Sequence, residues 1–499
     1  MVRYFFFMTG NPVWFRIAKD LYEEEVAEPV LWFGDDRLNA MATEVFEDAV
    51  VKMLDMVHRP YSLPEVNYAG EYAEFFQSED YIRAKDICFK MMDRFDMYGA
   101  FSRLDREAYF HKLTIWCLKT VHEKKPDALL MIERPHSHSQ YLLYRVCKYL
   151  DVKIANFKAC PLFPLNYLQY DEVHSVEKVM ESDPEIWREF ESTLAGYIDE
   201  LSALSESGDS HSPSYMQRQR RDAKLDRKIK KFIFNDSKLI WKDFKHHVGN
   251  RLRGVYSPIN PYRYGLIRRL WSKNTRRKNL RRFCQAATEQ FDFSESFVYY
   301  PLHYEPERTT TPDGGDFYDH MVALVALRKL LPDHLKIVVK EHPSQFFLAD
   351  KGSRGRSPLI YDVFKSVKGV VFVGTEGDSM DFIRRSSCVA TLTGSVGIEA
   401  AIMGKKAITF GYTWYYDCPN TFAWREDLSF SEIENQPIAD ASTIHAFILE
   451  KLRKHGVPAM ENMSASNMTH KEWVSDSFYE VQRKEAASLI KTFMVDIAR

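Results

Sequence analysis

The sequence predicts an α/β protein with two Rossmann-like domains that face each other across a cleft, joined by a basic helical insert. Three observations predict it. Apolar runs of strand length alternate with amphipathic helical patterns before residue 205 and again after residue 293. Polar residues follow several of the predicted strands. The 499 residues exceed one ordinary domain, and the 45% hydrophobic content is enough for two cores.

The first domain is predicted over residues 1–205. RYFFFM and PVLWFG have the composition of buried strands. Further on, DALLMIE, SQYLLYRVCKYL and VKIANF indicate a strand, an amphipathic helix and another strand. Two parallel strands joined through a helix form one right-handed crossover.

The second Rossmann-like domain is predicted over residues 293–470. Five strand-like segments, SFVYYP, LKIVVK, GVVFVG, CVATLTG and KAITFG, alternate with helical patterns. This alternation is typical of a doubly wound parallel sheet, in which ligands bind at the carboxyl ends of the strands. A last helix, residues 471–499, is expected to pack back on the first domain.

Residues 206–292 form the predicted insert. The segment 251–283 contains eleven Lys or Arg and no acid, with Trp271, Tyr262 and several leucines between them. A solvated pair of linker helices explains this pattern. Contact with an anionic membrane surface also explains it, because basic residues mixed with Trp and Leu suit a lipid interface. No nucleic-acid motif accompanies the cluster, so nucleic acid is not a predicted partner.

Composition limits the partners and the cellular compartment that can be expected for the protein. The 68 basic and 70 acidic side chains nearly cancel, so overall charge favours no polyanionic partner. The seven cysteines are scattered and form no C-x-x-C pair, which predicts a reducing compartment and no zinc site. The apolar start lacks a cleavage signal, and no apolar run reaches the ~18 residues of a spanning helix. We expect a cytoplasmic protein or one peripheral on the inner face of the cytoplasmic membrane.

The stretch KEHPSQ carries the first chemical signal. Lys340 closes a predicted strand, Glu341 and His342 follow, and Pro343 ends the strand. A histidine held at a strand end can donate a hydrogen bond to a phosphate oxygen. The alternative is a structural histidine that caps a turn.

The stretch TLTGSVGIEAA lies at a predicted strand-to-helix junction. Ser395 is predicted to cap the helix, whose free N–H groups form an anion site. Neither G-x-G-x-x-G nor G-x-x-x-x-G-K-[ST] is present in it, so it is neither a dinucleotide fingerprint nor a P-loop. Glu399 could bond a ribose hydroxyl or face a lysine. The predicted donor-binding residues here are Thr393, Gly394, Ser395, Val396, Gly397 and Glu399.

Other strand ends contribute further candidates. His303 and Glu305 alternate in an extended segment, and Glu376 follows the third strand of the second domain. The predicted donor-binding residues of the other strand ends are His303, Lys340, His342, Pro343 and Glu376. In the first domain Glu133 ends a predicted strand, where partial burial would suit a general base. His136 follows it, and Asp36 lies at another strand end. Each of these side chains could instead be an ordinary structural or surface group.

Three stretches carry a resemblance. VYYPLHYEPERTTTP, VVKEHPSQ and LTGSVGIEAAIMGKKAITFG resemble the bacterial capsule polysaccharide synthesis family, which includes transferases of Kdo (3-deoxy-D-manno-octulosonic acid). The resemblance implies a two-domain glycosyltransferase of the GT-B type with a CMP-linked acidic sugar as donor. The His-Pro pair is also similar to that of bacterial sialyltransferases, which implies that His342 contacts the CMP phosphate. It further implies phosphate binding by Thr393, Gly394 and Ser395, and it supplies no match for a catalytic carboxylate.

The leading prediction is therefore transfer of a sugar, such as Kdo, from a nucleotide-sugar donor to a glycan or glycolipid acceptor. One phosphate needs only a histidine and a helix N-terminus, so neither a metal nor a cofactor is expected. The alternatives are a UDP- or GDP-sugar transferase, a polyol-phosphate transferase of the teichoic-acid type, and, less favoured, a UDP-sugar 2-epimerase. A non-catalytic scaffold of a capsule assembly complex is the alternative from another class.

Overall fold

The structure is a computed structural model. It describes residues 1–7, 11–34, 36–52, 66–96, 101–135, 137–207, 266–307, 309–347, 349–460 and 475–498, with residues 221, 241, 244–245, 248–249 and 252 between them. The chain divides into two compact units. The first contains residues 1–88, 109–199 and 442–499, and the second contains residues 89–108 and 200–441.

The first unit is built on a seven-stranded sheet of order β13-β6-β5-β4-β1-β2-β3. Its strands β1 to β5 are parallel, whereas β6 pairs antiparallel with both β5 and β13. The strands are β1 (Val2–Phe7), β2 (Ala27–Gly34), β3 (Val50–Lys52), β4 (Ala128–Met131), β5 (Lys153–Ala159), β6 (Leu165–Gln169) and β13 (Gly456–Pro458).

The second unit is built on a six-stranded parallel sheet of order β12-β11-β10-β7-β8-β9. The strands are β7 (Phe297–Pro301), β8 (Lys336–Lys340), β9 (Val370–Phe372), β10 (Cys388–Thr391), β11 (Lys406–Thr409) and β12 (Thr421–Ala423). The prediction of two Rossmann-like α/β domains is confirmed.

The described helices connect these strands. They are α1 (Pro12–Glu23), α2 (Asp36–Val45), α3 (Glu79–Phe95), α4 (Arg103–Lys124), α5 (His138–Tyr149), α6 (Pro184–Ser207), α7 (Leu266–Ala287), α8 (His320–Leu330), α9 (Ser344–Phe347), α10 (Ala349–Gly355), α11 (Ile360–Lys365), α12 (Ser379–Arg385), α13 (Val396–Ile402), α14 (Phe430–Asn435), α15 (Ala441–His455) and α16 (Asp476–Ala498). None of them is long and apolar enough to cross a membrane, within the residues described.

The second sheet buries both faces, because its strands alternate between two cores. Val298 and Ile337 pack with α7, α8 and α11 on one face. Tyr299 and Val338 pack with α12 and α13 on the other. Two covered faces explain why these strands are apolar throughout rather than in alternation.

The last helix, α16, packs on the first unit. Its buried side chains, including Leu489 and Phe493, join the core formed with Trp14 and Trp32. Arg483 forms a forked salt bridge with Asp20 on α1, with both N–O distances 2.7 Å. Amphipathic burial of one helical face is the main source of its stability here.

The unit boundaries differ from the sequence-based ones. Residues 442–460 group with the first unit rather than with 293–470, because β13 adds to the edge of the first sheet. Residues 89–108 group with the second unit. The three residues of β13 are too few to show a strand pattern, so the sequence did not predict this crossing. The predicted insert 206–292 lies largely outside the described residues, and its described helix α7 packs in the core of the second unit.

Candidate functional site

The candidate site lies at the carboxyl ends of β10, β7 and β8. These three strands are neighbours in the second sheet, so the segments that follow them leave the sheet at one edge. The segments contain the turn after Thr391, His303 and His342, in that order across the sheet. The sequence alone predicted that each segment follows a strand. The strand order shows that the three strands, and so the three segments, are neighbours.

His342 is half-buried and its ring is held by the backbone. The Ser344 N–H donates to His342 Nδ1 over 3.1 Å. Burial, with the charges of Lys340 and Arg356, lowers the pKa of His342 to about 4. The ring is therefore neutral at pH 7, and since Nδ1 accepts, its proton is on Nε2. His342 can donate one hydrogen bond from Nε2 to an anionic oxygen.

His303 is buried and binds the neighbouring turn. Its Nε2 accepts from the Thr393 N–H over 3.3 Å and lies 3.2 Å from Thr391 Oγ1. Its Nδ1 lies 3.4 Å from Thr309 Oγ1. Burial is the main cause that lowers its pKa to about 3, so the ring is neutral. With both nitrogens engaged, His303 supports the turn, whereas the sequence predicted that it contacts the donor.

The turn after β10 is closely packed. Gly394 N–H donates to Thr391 Oγ1 over 3.1 Å, and Tyr415 donates its hydroxyl to the Gly394 carbonyl. A Cβ at Gly397 would lie 2.3 Å from Tyr415 Oη, so this position accepts only glycine without a shift of that ring. Ser395 occupies the predicted N-cap position, but it is exposed and its side chain makes no capping hydrogen bond, because its backbone is already helical.

The helix that begins at this turn, α13, is only seven residues long. Val396 starts it and is half-buried, as is Glu399 on its first turn. Lys340, at the end of β8, is buried, with only 4% of its surface exposed. Val396 and Glu399 therefore lie in the helix that follows β10, and Lys340 lies at the end of β8.

A buried charged cluster supports these segments, and its central residue, Arg356, was not predicted from the sequence. Arg356 forms a fork with Glu341, with Nε–Oε2 and Nη2–Oε1 distances of 3.1 and 3.0 Å. Its Nη1 donates to Glu305 Oε2 over 2.9 Å, and Nη2 also donates to the His303 carbonyl. Tyr361 donates its hydroxyl to Glu341 Oε2 over 2.9 Å. Arg356 follows the polar stretch GSRG, where nothing in the sequence marks a buried ion.

A cavity of about 560 Å³ opens beside the His-Pro segment. Its walls are α7, the start of α9 and the loop after β9. Pro343 and Glu376, two of the predicted donor-binding residues, line it. The polar lining includes Gln285, Thr288 and Arg281, whose guanidinium lies 5.7 Å from the centre of the Phe346 ring. This size suits a nucleoside-sized ligand.

The predicted catalytic residues lie in the first unit. Glu133 follows β4 and is half-buried, with interactions of its own. Asp36 begins α2, but its side chain lies outside the described residues, as does His136 entirely. After Glu133, Arg134 is buried and Ser137 caps α5 through a capping box with Gln140. Among the described residues no group of three His, Cys, Asp or Glu side chains could hold a metal ion.

The family model of capsule polysaccharide biosynthesis proteins matches residues 192–451, just over half of the chain. The fold and the strand-end site thus define a member of a carbohydrate-synthesis class built on two Rossmann-like units. The chain belongs to the capsule polysaccharide biosynthesis protein family. The resemblance inferred from the three motifs is confirmed at the level of family and fold. No curated protein sequence matches the chain.

Solved structures similar to the chain include a beta Kdo 2,7 transferase, KpsC of Thermosulfurimonas dismutans, at 12% identity. The match covers 74% of this chain and 86% of that one, with a TM-score of 0.25. The UDP-GlcNAc 2-epimerase of Methanocaldococcus jannaschii is 12% identical, with 91% and 99% covered and a TM-score of 0.22. The wall teichoic acid polymerase TagF is 16% identical, with 45% and 49% covered and a TM-score of 0.18. At these values the likeness is distant, and no residue role is carried over.

Proposed function

We propose that this protein is a glycosyltransferase that moves a sugar from a nucleotide-sugar donor to a glycan or glycolipid acceptor in capsule synthesis. We further propose a CMP-linked acidic sugar, such as Kdo, as the donor. The observation that carries the proposal is the His342 ring, whose Nδ1 accepts from the Ser344 N–H, so that Nε2–H is its donor. It stands at one sheet edge with the turn after β10 and beside the 560 Å³ cavity.

A CMP-sugar has a single phosphate, which suits this arrangement. His342 would donate from Nε2 to one phosphate oxygen, and the backbone N–H groups of Ser395 and Val396 would face another. Gly394 allows the tight packing of the turn itself, because a Cβ there would lie 2.8 Å from Thr391 Oγ1. The leaving phosphate would thus be bound by neutral donors in fixed positions, which stabilise developing charge without reorganisation.

The nucleoside would occupy the cavity. Glu376 on the loop after β9 would accept from a ribose hydroxyl, and Gln285 and Thr288 on the α7 side would meet the base. Glu399 is the second candidate for a ribose contact. Glu133 is proposed as the general base, with Asp36 and His136 as the other catalytic candidates.

The test is a thermal-shift screen against CMP, CDP, UDP and GDP, since a ligand that binds the folded state raises its melting temperature. We expect the largest shift with CMP. His342→Ala should weaken CMP binding by about tenfold or more, the usual effect of losing one hydrogen bond to a charged group. His334→Ala, at an exposed histidine outside the site, is the matched control. Unchanged CMP affinity in His342→Ala would remove His342 from the site.

Measurements of transfer activity test the role of Glu133 and distinguish the alternative functions. Glu133→Gln should keep CMP binding and reduce sugar transfer, whereas retained transfer would exclude Glu133 as the base. Transfer from a CDP-polyol rather than a CMP-sugar would favour the polyol-phosphate alternative. If the protein binds no nucleotide and transfers no sugar from any donor of the panel, the scaffold alternative is favoured.

Membrane contact through 251–283 is a separate proposal. In the described part of this segment α7 buries Leu280 in the core, while Trp271 is 73% exposed and Lys278 and Arg282 are exposed. We expect the protein to sediment with phosphatidylglycerol vesicles at low salt and to leave them at high salt. Equal sedimentation with phosphatidylcholine vesicles, or none with either, would contradict this proposal.

A further inference from the structure

The buried Arg356 cluster has a cost that its contribution to stability does not explain. The side chains of Arg356, Glu305 and Glu341 are 2%, 7% and 0% exposed. Removing ions from water costs several kcal/mol each, and their mutual attraction often does no more than offset that cost. A cluster of this kind is therefore better explained by what it holds in place.

What it holds in place is the pair of strand ends at the candidate site. Glu305 follows β7 and Glu341 follows β8, and one guanidinium binds both carboxylates. Five N–H donors in a planar fork allow this, whereas an ammonium group would be a single point of contact. The spacing between the two segments is therefore fixed by the geometry of one side chain.

Each arm of the cluster ends on a residue of the proposed phosphate site. Glu341 Oε1 accepts both from Arg356 and from the His342 N–H, at 3.0 and 2.8 Å. On the other arm Arg356 Nη2 donates to the His303 carbonyl over 2.8 Å, and the His303 ring accepts from Thr393 N–H. Arg356 thus reaches His342 and the turn after β10 through one intermediate residue each.

We propose that Arg356 is a positioning residue that sets the relative placement of His342 and the Thr393–Ser395 turn, and so the phosphate-binding geometry of the site. This inference rests on the proposed function. The same guanidinium also helps to keep His342 neutral, because its charge, together with that of Lys340 and the effect of burial, lowers the pKa of that ring. The ring then retains the single Nε2–H donor that the site needs.

The test exchanges Arg356 for lysine, which keeps the charge and loses the fork. Two readouts are followed at pH 7: CMP affinity by calorimetry, and the ring nitrogen signals of His342 by NMR with labelled histidine. In the wild type we expect a protonated Nε2 and an accepting Nδ1. In Arg356→Lys we expect a mixture of tautomers and a CMP affinity about tenfold lower.

Arg328→Lys is the matched control. Arg328 lies on α8 in the same unit and donates to three backbone carbonyls, those of Leu331, Pro332 and Leu335. We expect this variant to lose stability while the His342 signals and CMP affinity stay as in the wild type. If Arg356→Lys behaves in the same way as Arg328→Lys, the positioning role is wrong and Arg356 is structural only.

Tyr361→Phe serves if Arg356→Lys does not fold. It keeps the ring and removes the hydroxyl that donates to Glu341 Oε2, and we expect the same changes with smaller amplitude. Unchanged His342 signals in this variant would also contradict the proposal. A wild-type protein that binds no nucleotide would overturn the proposed function, whereas the NMR readout would still decide whether Arg356 positions His342.

Discussion

The carboxyl ends of the strands are organised differently in the two units. In the second unit, the segments after β7 and β8 are joined by the buried ion cluster of Arg356, Glu305 and Glu341. In the first unit, the segment after β4 leads into α5, where Ser137 and Gln140 form a capping box. There the buried Arg134 donates to Gln169 Oε1 and to the Glu172 carbonyl.

The two arrangements differ in how many segments they hold in a fixed position. A capping box satisfies the free N–H groups of one helix and fixes only that helix. A buried fork between two strand ends fixes one segment against another, at a cost in desolvation. This difference supports the proposal that the ligand site lies in the second unit, and we expect mutations to affect the two strand-end regions very unequally.

The largest expected effect is that of Glu341→Ala. Its removal leaves Arg356 buried with one carboxylate and leaves the Tyr361 hydroxyl and the His342 N–H without their acceptor. Breaking a buried ion pair costs roughly 3–5 kcal/mol of unfolding free energy. Urea unfolding measures this. A loss below about 1 kcal/mol, as for an exposed pair, would contradict the comparison. Lys368→Ala, in an exposed pair with Asp333, is the control.

The second expected effect is a fall in stability on acidification. Burial lowers the pKa values of His303 and His342 to about 3 and about 4, whereas in the unfolded chain they are about 6.5. Between about pH 6.5 and pH 4 the unfolded chain binds protons that the folded chain does not, so stability falls as pH falls. The loss is on the order of 3 kcal/mol for one such histidine at pH 4.

Unfolding free energies measured from pH 7.5 to pH 4.5 test this expectation. His303→Asn should unfold with a smaller pH dependence than the wild type, since one of the buried histidines with a lowered pKa is gone. His334→Asn, at an exposed position, should keep the wild-type slope. Equal slopes in the wild type and His303→Asn would show that this histidine is not held neutral by the fold.

The smallest expected effect lies in the first unit. Ser137→Ala removes the side chain that accepts from the Gln140 N–H at the start of α5. Loss of a serine cap costs about 1 kcal/mol. Thr193→Ala on α6 is the control, because Thr193 is half-buried and its hydroxyl donates to the Glu189 carbonyl within its own helix. A loss in Ser137→Ala as large as that in Glu341→Ala would erase the contrast between the two strand-end regions.

The strand-end residues of the second unit were predictable because their signals are local. His342, Pro343 and the turn at Thr393–Ser395 each follow an apolar run directly, and parallel strands direct their ends to one edge. The missing capping bond of Ser395 was not predictable, because a serine at the start of a helix can either cap it or remain exposed. Arg356 was missed because an arginine in a polar stretch is usually solvated.

The sequence by itself determined the two alternating α/β regions, the family and the strand-end motifs, since these depend on periodicity and on neighbours along the chain. Only the tertiary structure decided that β10, β7 and β8 are adjacent and that β13 joins the first sheet. It also decided that the His303 ring accepts from the turn at Thr393. It also decided that Arg356 is buried between two carboxylates separated from it by 15 and 51 residues. Burial and ion pairing depend on contacts between distant segments, which no local pattern encodes.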